Sequence, residues 1–178
     1  IIDTWTLGDE QGVTYTRPLA ADAEREAFQD LLKQTYNGDI AKLNAEFGTD
    51  FKAFDRVPVP DVNQLERDQV VYKHLWMHFV EKLFTDTLHK VGQAIQHADP
   101  DPEDEPYGLS GTTMPDLDML HGFKLWHGYP NRIQNVAMRS FMSADSIRGN
   151  WWGGYMHSRR LGARPLWDLL LKGGVNAS

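Results

Sequence analysis

Hydrophobic and polar positions along this chain change rhythm several times, and each change predicts an element. Ile1 to Leu7 is a short β-branched and aromatic run ending at Gly8, which reads as a buried strand. Asp22 offers a cap for a helix whose apolar positions Ala23, Ala27, Phe28, Leu31 and Leu32 share one face. Asn37-Gly38 breaks that helix, and a second one, about Ile40 to Phe47, stops at Gly48. Pro58 and Pro60 mark a non-helical stretch. The longest periodic segment follows, about Asn63 to Gln96, where Leu65, Val70, Leu75, Phe79, Leu83, Leu88 and Val91 keep a broad apolar stripe. Three short strand-like runs come next: Tyr107 to Ser110, Phe123 to His127, and one between Asn150 and Met156. Pro165 to Lys172 reads as a final helix, with proline in its first turn and Gly173-Gly174 past its end.

The predicted order is strand, helices, strand, strand, strand, helix. Helices set between strands are the signature of an α/β layer or barrel with a parallel sheet. No internal repeat and no domain boundary is visible, so residues 1–178 read as a single domain carrying a helical insertion at about 16–61, after the first strand. Composition narrows the partners. The net charge of −7 argues against nucleic acid, whose phosphates need clustered Lys and Arg. The dense acidic run, Asp99 to Glu105, is interleaved with Pro100, Pro102 and Pro106 and needs only solvation as its explanation. With no cysteine there are no disulfides, thiolate metal sites or cysteine nucleophiles. No apolar run approaches the ~20 residues that span a bilayer, so no membrane partner is expected. No signal peptide is visible, but the chain begins Ile1-Ile2-Asp3 without Met, so the compartment, cytoplasmic or secreted, stays open.

Candidate chemistry begins at Leu7-Gly8-Asp9-Glu10, where two carboxylates follow an apolar strand. At the C-terminal end of a barrel strand, a partly desolvated carboxylate gains a raised pKa and donates a proton near neutral pH. Taken by its spacing alone, the run reads more simply as a polar strand end facing water. Aromatic residues crowd the later strand ends: Trp126, His127 and Tyr129, then Trp151, Trp152 and Tyr155. Trp and Tyr offer sugars an apolar face together with a polar handle, although one Trp of the Trp151-Trp152 pair also suits a core. Gly153-Gly154 permits close backbone approach or positive φ. His74 and His78, four apart with Glu81 beyond, have ligand-like spacing, yet helix-surface packing explains them and HExxH is absent. Ser110 to Thr113 reads as a ligand-binding loop or a turn; no P-loop, GxGxxG or GxSxG occurs, so nucleotides and a serine nucleophile have no support.

One longer run is more specific. Tyr36-Asn37-Gly38-Asp39-Ile40-Ala41-Lys42-Leu43-Asn44-Ala45-Glu46-Phe47-Gly48-Thr49-Asp50-Phe51 resembles a segment of the family 42 β-galactosidases, where it lies just after the fourth strand of a (β/α)8 barrel. Val57-Pro58-Val59-Pro60 suits the same insertion. The resemblance implies that Ile1 to Glu10 is barrel strand four, Tyr107 to Thr112 strand five, Phe123 to Tyr129 strand six and Asn150 to Tyr155 strand seven. It further implies part of a TIM barrel, about strands four to seven, with the remainder of a parent chain as a partner. Such a half-barrel would have unpaired strand edges and would be unstable by itself.

Carried over by position, Glu10 matches the family's acid/base glutamate, and Asp9 stands where the family has a sugar-binding Asn. The resemblance implies a β-linked saccharide substrate, retention of configuration and no cofactor or metal. Asp9, Trp126, His127, Tyr129, Trp151, Trp152 and Tyr155 would shape the sugar pocket. The expected seventh-strand carboxylate nucleophile has no match in Trp151 to Tyr155. Asp145 is the nearest upstream acid, with Asp116 and Asp118 as weaker candidates. The alternative is a saccharide-binding or degenerate barrel that does not hydrolyse. The sugar, the linkage and any homo-oligomer are left open by the sequence.

Overall fold

A computed structural model of the chain describes residues 4–9, 12–13, 15, 22–61, 69–99, 107–110, 121–128 and 132–150. The described elements are β1 (Trp5–Asp9), α1 (Asp22–Thr35), α2 (Ile40–Phe47), a 3₁₀ turn at Phe54–Arg56, α3 (Val70–Ala98), β2 (Tyr107–Ser110), β3 (Leu125–Gly128), α4 (Arg132–Phe141) and β4 (Ile147–Asn150). The last strand therefore begins before Asn150, not after it. Ile-Arg-Gly-Asn has one apolar residue, while the aromatic pair behind it draws a pattern-based reading downstream. The helix predicted at Pro165 to Lys172 lies outside the described residues.

All three strand pairings are parallel, and the order in the sheet is β1-β2-β3-β4, the order of the chain. A doubly wound sheet reverses its order at a switch point, whereas a barrel wall runs on in sequence. The sheet is thus a section of a (β/α)8-type wall. Gly108 allows the close approach of its two central strands, because a Cβ there would sit 1.6 Å from the Leu125 carbonyl oxygen.

The chain divides into two compact units, one of residues 1–12 and 84–178, the other of residues 13–83. No break in composition marks the change at Leu83, because α3 crosses it uninterrupted. The sheet-bearing unit has a core of Leu88, Leu109, Phe123, Trp126, Met138 and Met142. In the helical unit, Phe28, Leu32, Leu43, Phe47, Val57, Tyr72, Trp76 and Phe79 form the core, with Phe28 edge-on to Trp76 at 5.0 Å. The stretch read as an insertion falls within this second unit.

The run Leu43 to Phe51 is a helix-stop device. Asp39 caps α2 by accepting from the Ala41 and Lys42 amides at 3.0 and 3.3 Å. Gly48 turns left-handed at φ 67° and donates its amide to the Asn44 carbonyl. The Asn44 side chain accepts from Thr49 Oγ1 at 2.9 Å and the Phe51 amide at 2.8 Å, and donates to the Phe51 carbonyl at 2.8 Å. Leu43 and Phe47 are fully buried. Asn37 and Gly38, at φ 51° and 76°, end α1 in the same way. Within α1, Ala23 and Ala27 face solvent and Gln29 is buried, contrary to the apolar-stripe expectation. Gln29 is held inside because Nε2 donates to the Val57 and Asp55 carbonyls at 2.8 and 3.2 Å. Asp22 is the first residue of α1 and pairs with Arg25 at 2.8 Å.

Candidate active site

Because the strands are parallel, their C-terminal ends lie along one edge of the sheet. Register aligns Asp9 with Ser110, Ser110 with His127, and His127 with Gly149. A bulge between Thr6 and Asp9 shifts the end of β1, a device that re-aims a strand where pairing ends. Side chains alternate across a strand. Leu109 and Trp126 are paired in register and both belong to the core. Ser110 and His127 therefore point to the opposite face.

Trp126, expected among the sugar-facing aromatics, lies in the core. It is 1% exposed, lies edge-on to Phe123 at 6.1 Å and packs among Leu88, Leu109 and Met138. A strand buried on both faces gives no sequence signal of which neighbour faces the core, and the bulky indole takes the helix side while His127 takes the other. His127 is half-buried, and its Nε2 is enclosed without a hydrogen-bond partner. Burial pushes its imidazole below the ordinary value, so it is neutral near pH 7.

Two more buried polar atoms at this end of β3 lack partners, the Trp126 indole Nε1 and Gln134 Oε1. They sit 3.8 and 3.4 Å from the point where a Cβ on Gly128 would stand. Gln134 belongs to α4, an element absent from the predicted order. The apolar residues of α4, Ile133, Val136, Ala137, Met138 and Phe141, fall on one broad face, along which Ile133 and Val136 are 80% and 52% exposed and Met138 is buried.

Asp145 lies at the other edge of the sheet. It precedes β4, is exposed, and binds Lys124 at 2.5 Å, the residue just before β3. The Lys124 ammonium and the Ser143 hydroxyl hold its carboxyl at about 2. It is removed from the candidate site by the length of β4, about 10 Å at ~3.3 Å per residue. Glu10, Tyr129, Trp151, Trp152 and Tyr155, with Asp116 and Asp118, lie outside the described residues. His74 and His78 stack at 6.5 Å on α3, and among the described residues no group of three or more His, Cys, Asp or Glu side chains is placed to hold a metal ion. No helix among them is long and apolar enough to cross a membrane.

The glycoside hydrolase family 42 model, described as β-galactosidase, matches residues 1–156. The chain belongs to this family. No curated protein gives a significant match. Among solved structures, an agarase is similar over 99% of this chain and 22% of its own, with 14% identity and a TM-score of 0.51. An exo-β-agarase is similar over 72% of this chain and 19% of its own, with 17% identity and a TM-score of 0.49. The chain thus spans about a fifth of the length of these structures. The likeness to the first agarase is one of fold.

Proposed function

We propose that this chain supplies part of the active site of a glycosidase that cleaves a β-linked saccharide with retention, in the manner of a β-galactosidase. The observation that carries the reading is the position of Asp9 at the C-terminal end of a parallel barrel strand, with Glu10 the next residue. In this reading Glu10 protonates the leaving glycosidic oxygen and then takes a proton from the attacking water. Asp9 accepts a hydrogen bond from a sugar hydroxyl, and His127, Tyr129, Trp151, Trp152 and Tyr155 surround the ring. No cofactor enters the mechanism. Neither β4 nor Trp151 to Tyr155 contains a carboxylate, so the nucleophile is Asp116, Asp118 or a carboxylate from another part of a longer chain. The stretch at about 16–61 is an insertion between barrel strands.

The test is Glu10→Gln in the full-length protein, assayed on aryl β-galactosides and β-glucosides and on the corresponding alkyl glycosides. Loss of the acid is expected to lower turnover of alkyl glycosides by roughly 10²- to 10⁴-fold. Unchanged turnover would overturn the assignment. A second reading, a barrel that binds saccharide without hydrolysis, draws on the missing carboxylate at the end of β4. Saccharide binding with no product from any glycoside would establish it instead.

A further inference from the structure

We propose that His127 is a specificity-determining residue that hydrogen-bonds one neutral hydroxyl of the saccharide through its buried Nε2. This deepens the glycosidase reading and rests on it. The argument starts from direction. Trp126 takes the core side of β3, so His127 faces the side of the sheet that also receives Ser110. It stands in the row Asp9, Ser110, His127, Gly149, at the C-terminal ends of the strands. Its register neighbours are small, serine on one side and glycine on the other, so neither covers the ring.

Nε2 is enclosed yet has no partner. A ring nitrogen that is buried and unpaired costs stability, so a partner is to be expected in the working protein. Burial keeps the ring uncharged near pH 7, which disfavours an anionic partner such as a carboxylate, sulfate or phosphate. A neutral imidazole has one N–H and one lone pair, and a hydroxyl can both donate and accept. Either tautomer therefore reads a sugar hydroxyl.

The experiment compares wild type with His127→Phe on p-nitrophenyl β-galactoside and its 2-, 3-, 4- and 6-deoxy analogues. One deoxy analogue is expected to lose roughly tenfold or more in kcat/KM with wild type. In His127→Phe that same analogue should lose less than about twofold, because the partner of the missing hydroxyl is already gone. Equal deoxy penalties in both proteins would overturn the proposal. The second measurement needs no variant: galactose added to ¹⁵N-histidine-labelled protein should move the His127 Nε2 signal, and galactose bound with that signal unmoved would overturn it. If Glu10→Gln abolishes cleavage while the penalties persist in His127→Phe, the glycosidase reading stands and only the role of His127 falls. If no glycoside is cleaved and galactose leaves the signal unmoved, both fall.

Discussion

In the unit of residues 13–83, Gln29, Tyr36, Asn44 and Tyr72 all carry polar atoms into the interior, and each finds a partner. Tyr36 donates to Glu46 at 2.8 Å, and burial pushes its hydroxyl well above the usual tyrosine range. In the sheet-bearing unit, Trp126, His127 and Gln134 bury polar atoms with no partner, and these are the described residues in which that occurs. The first unit is closed by its own hydrogen bonds. The second has loose ends, gathered at the C-terminal end of one strand and the helix behind it. Unsatisfied buried polar groups are rare because they cost about 1–3 kcal/mol each. Of these, Trp126 Nε1 and Gln134 Oε1 lie together on the core side of β3, whereas His127 Nε2 lies on the opposite face. The run that reveals the family, Leu43 to Phe51, lies in the closed unit and is spent on stopping a helix.

The largest expected effect tests which side of this contrast Trp126 belongs to. As a core residue, Trp126→Ala should lower stability by about 3–5 kcal/mol, read from denaturant midpoints. Trp126→Phe should keep KM for an aryl galactoside close to wild type. A sugar-binding defect in Trp126→Phe with unchanged stability would return the indole to the pocket and blur the contrast.

The next effect is in the closed unit. Asn44→Ala removes three hydrogen bonds to Thr49 and Phe51, which predicts a loss of about 2–3 kcal/mol with kcat/KM unchanged. If turnover fell while stability held, the helix-stop segment would be part of the site.

The two units also differ in how legible they are from sequence. The bounds of α2 follow from Asp39 and Gly48, whose capping roles are local and written in residue type. β2 likewise stands at Tyr107–Ser110, where a short apolar run emerges from a proline-rich stretch. What the pattern misses is set by tertiary packing. Gln29 is inside only because distant carbonyls receive it. At the site, Asp9 and His127 are visible as residue types at strand ends. That they share a register row, and that Trp126 turns away, depends on pairing and on which face the helices cover.

A pH titration probes the sheet-bearing unit at a smaller scale. His89 of α3 stacks on Phe123 at 4.5 Å, and its Nδ1 lies 2.9 Å from the Tyr107 hydroxyl. Burial lowers its pKa, partly offset by the Asp86 carboxylate. The folded value lies below the unfolded one, so the unfolded chain takes up the proton first. The stabilising contribution is therefore complete above about pH 6.5 and is lost as pH falls from there through the folded value. His127, shifted in the same direction, adds to the slope. Denaturation midpoints between pH 7 and pH 5 should fall, and His89→Gln should flatten that fall. An unaltered slope would remove His89 from the account.

The smallest expected effect concerns Asp145, and it decides which edge of the sheet does the work. Asp145 and Lys124 form a pair that is more than half exposed on both sides, and such pairs contribute little. Asp145→Asn should therefore leave the thermal midpoint and turnover close to wild type. A retaining nucleophile must stand about 5–5.5 Å from the acid/base carboxylate. Asp145 precedes β4, whereas Asp9 ends β1, at the opposite end of these parallel strands. If Asp145→Ala instead abolished turnover and azide restored it, the nucleophile would lie at the N-terminal edge. The row of Asp9, Ser110 and His127 would then no longer mark the site, and the unpaired atoms of β3 would need another explanation.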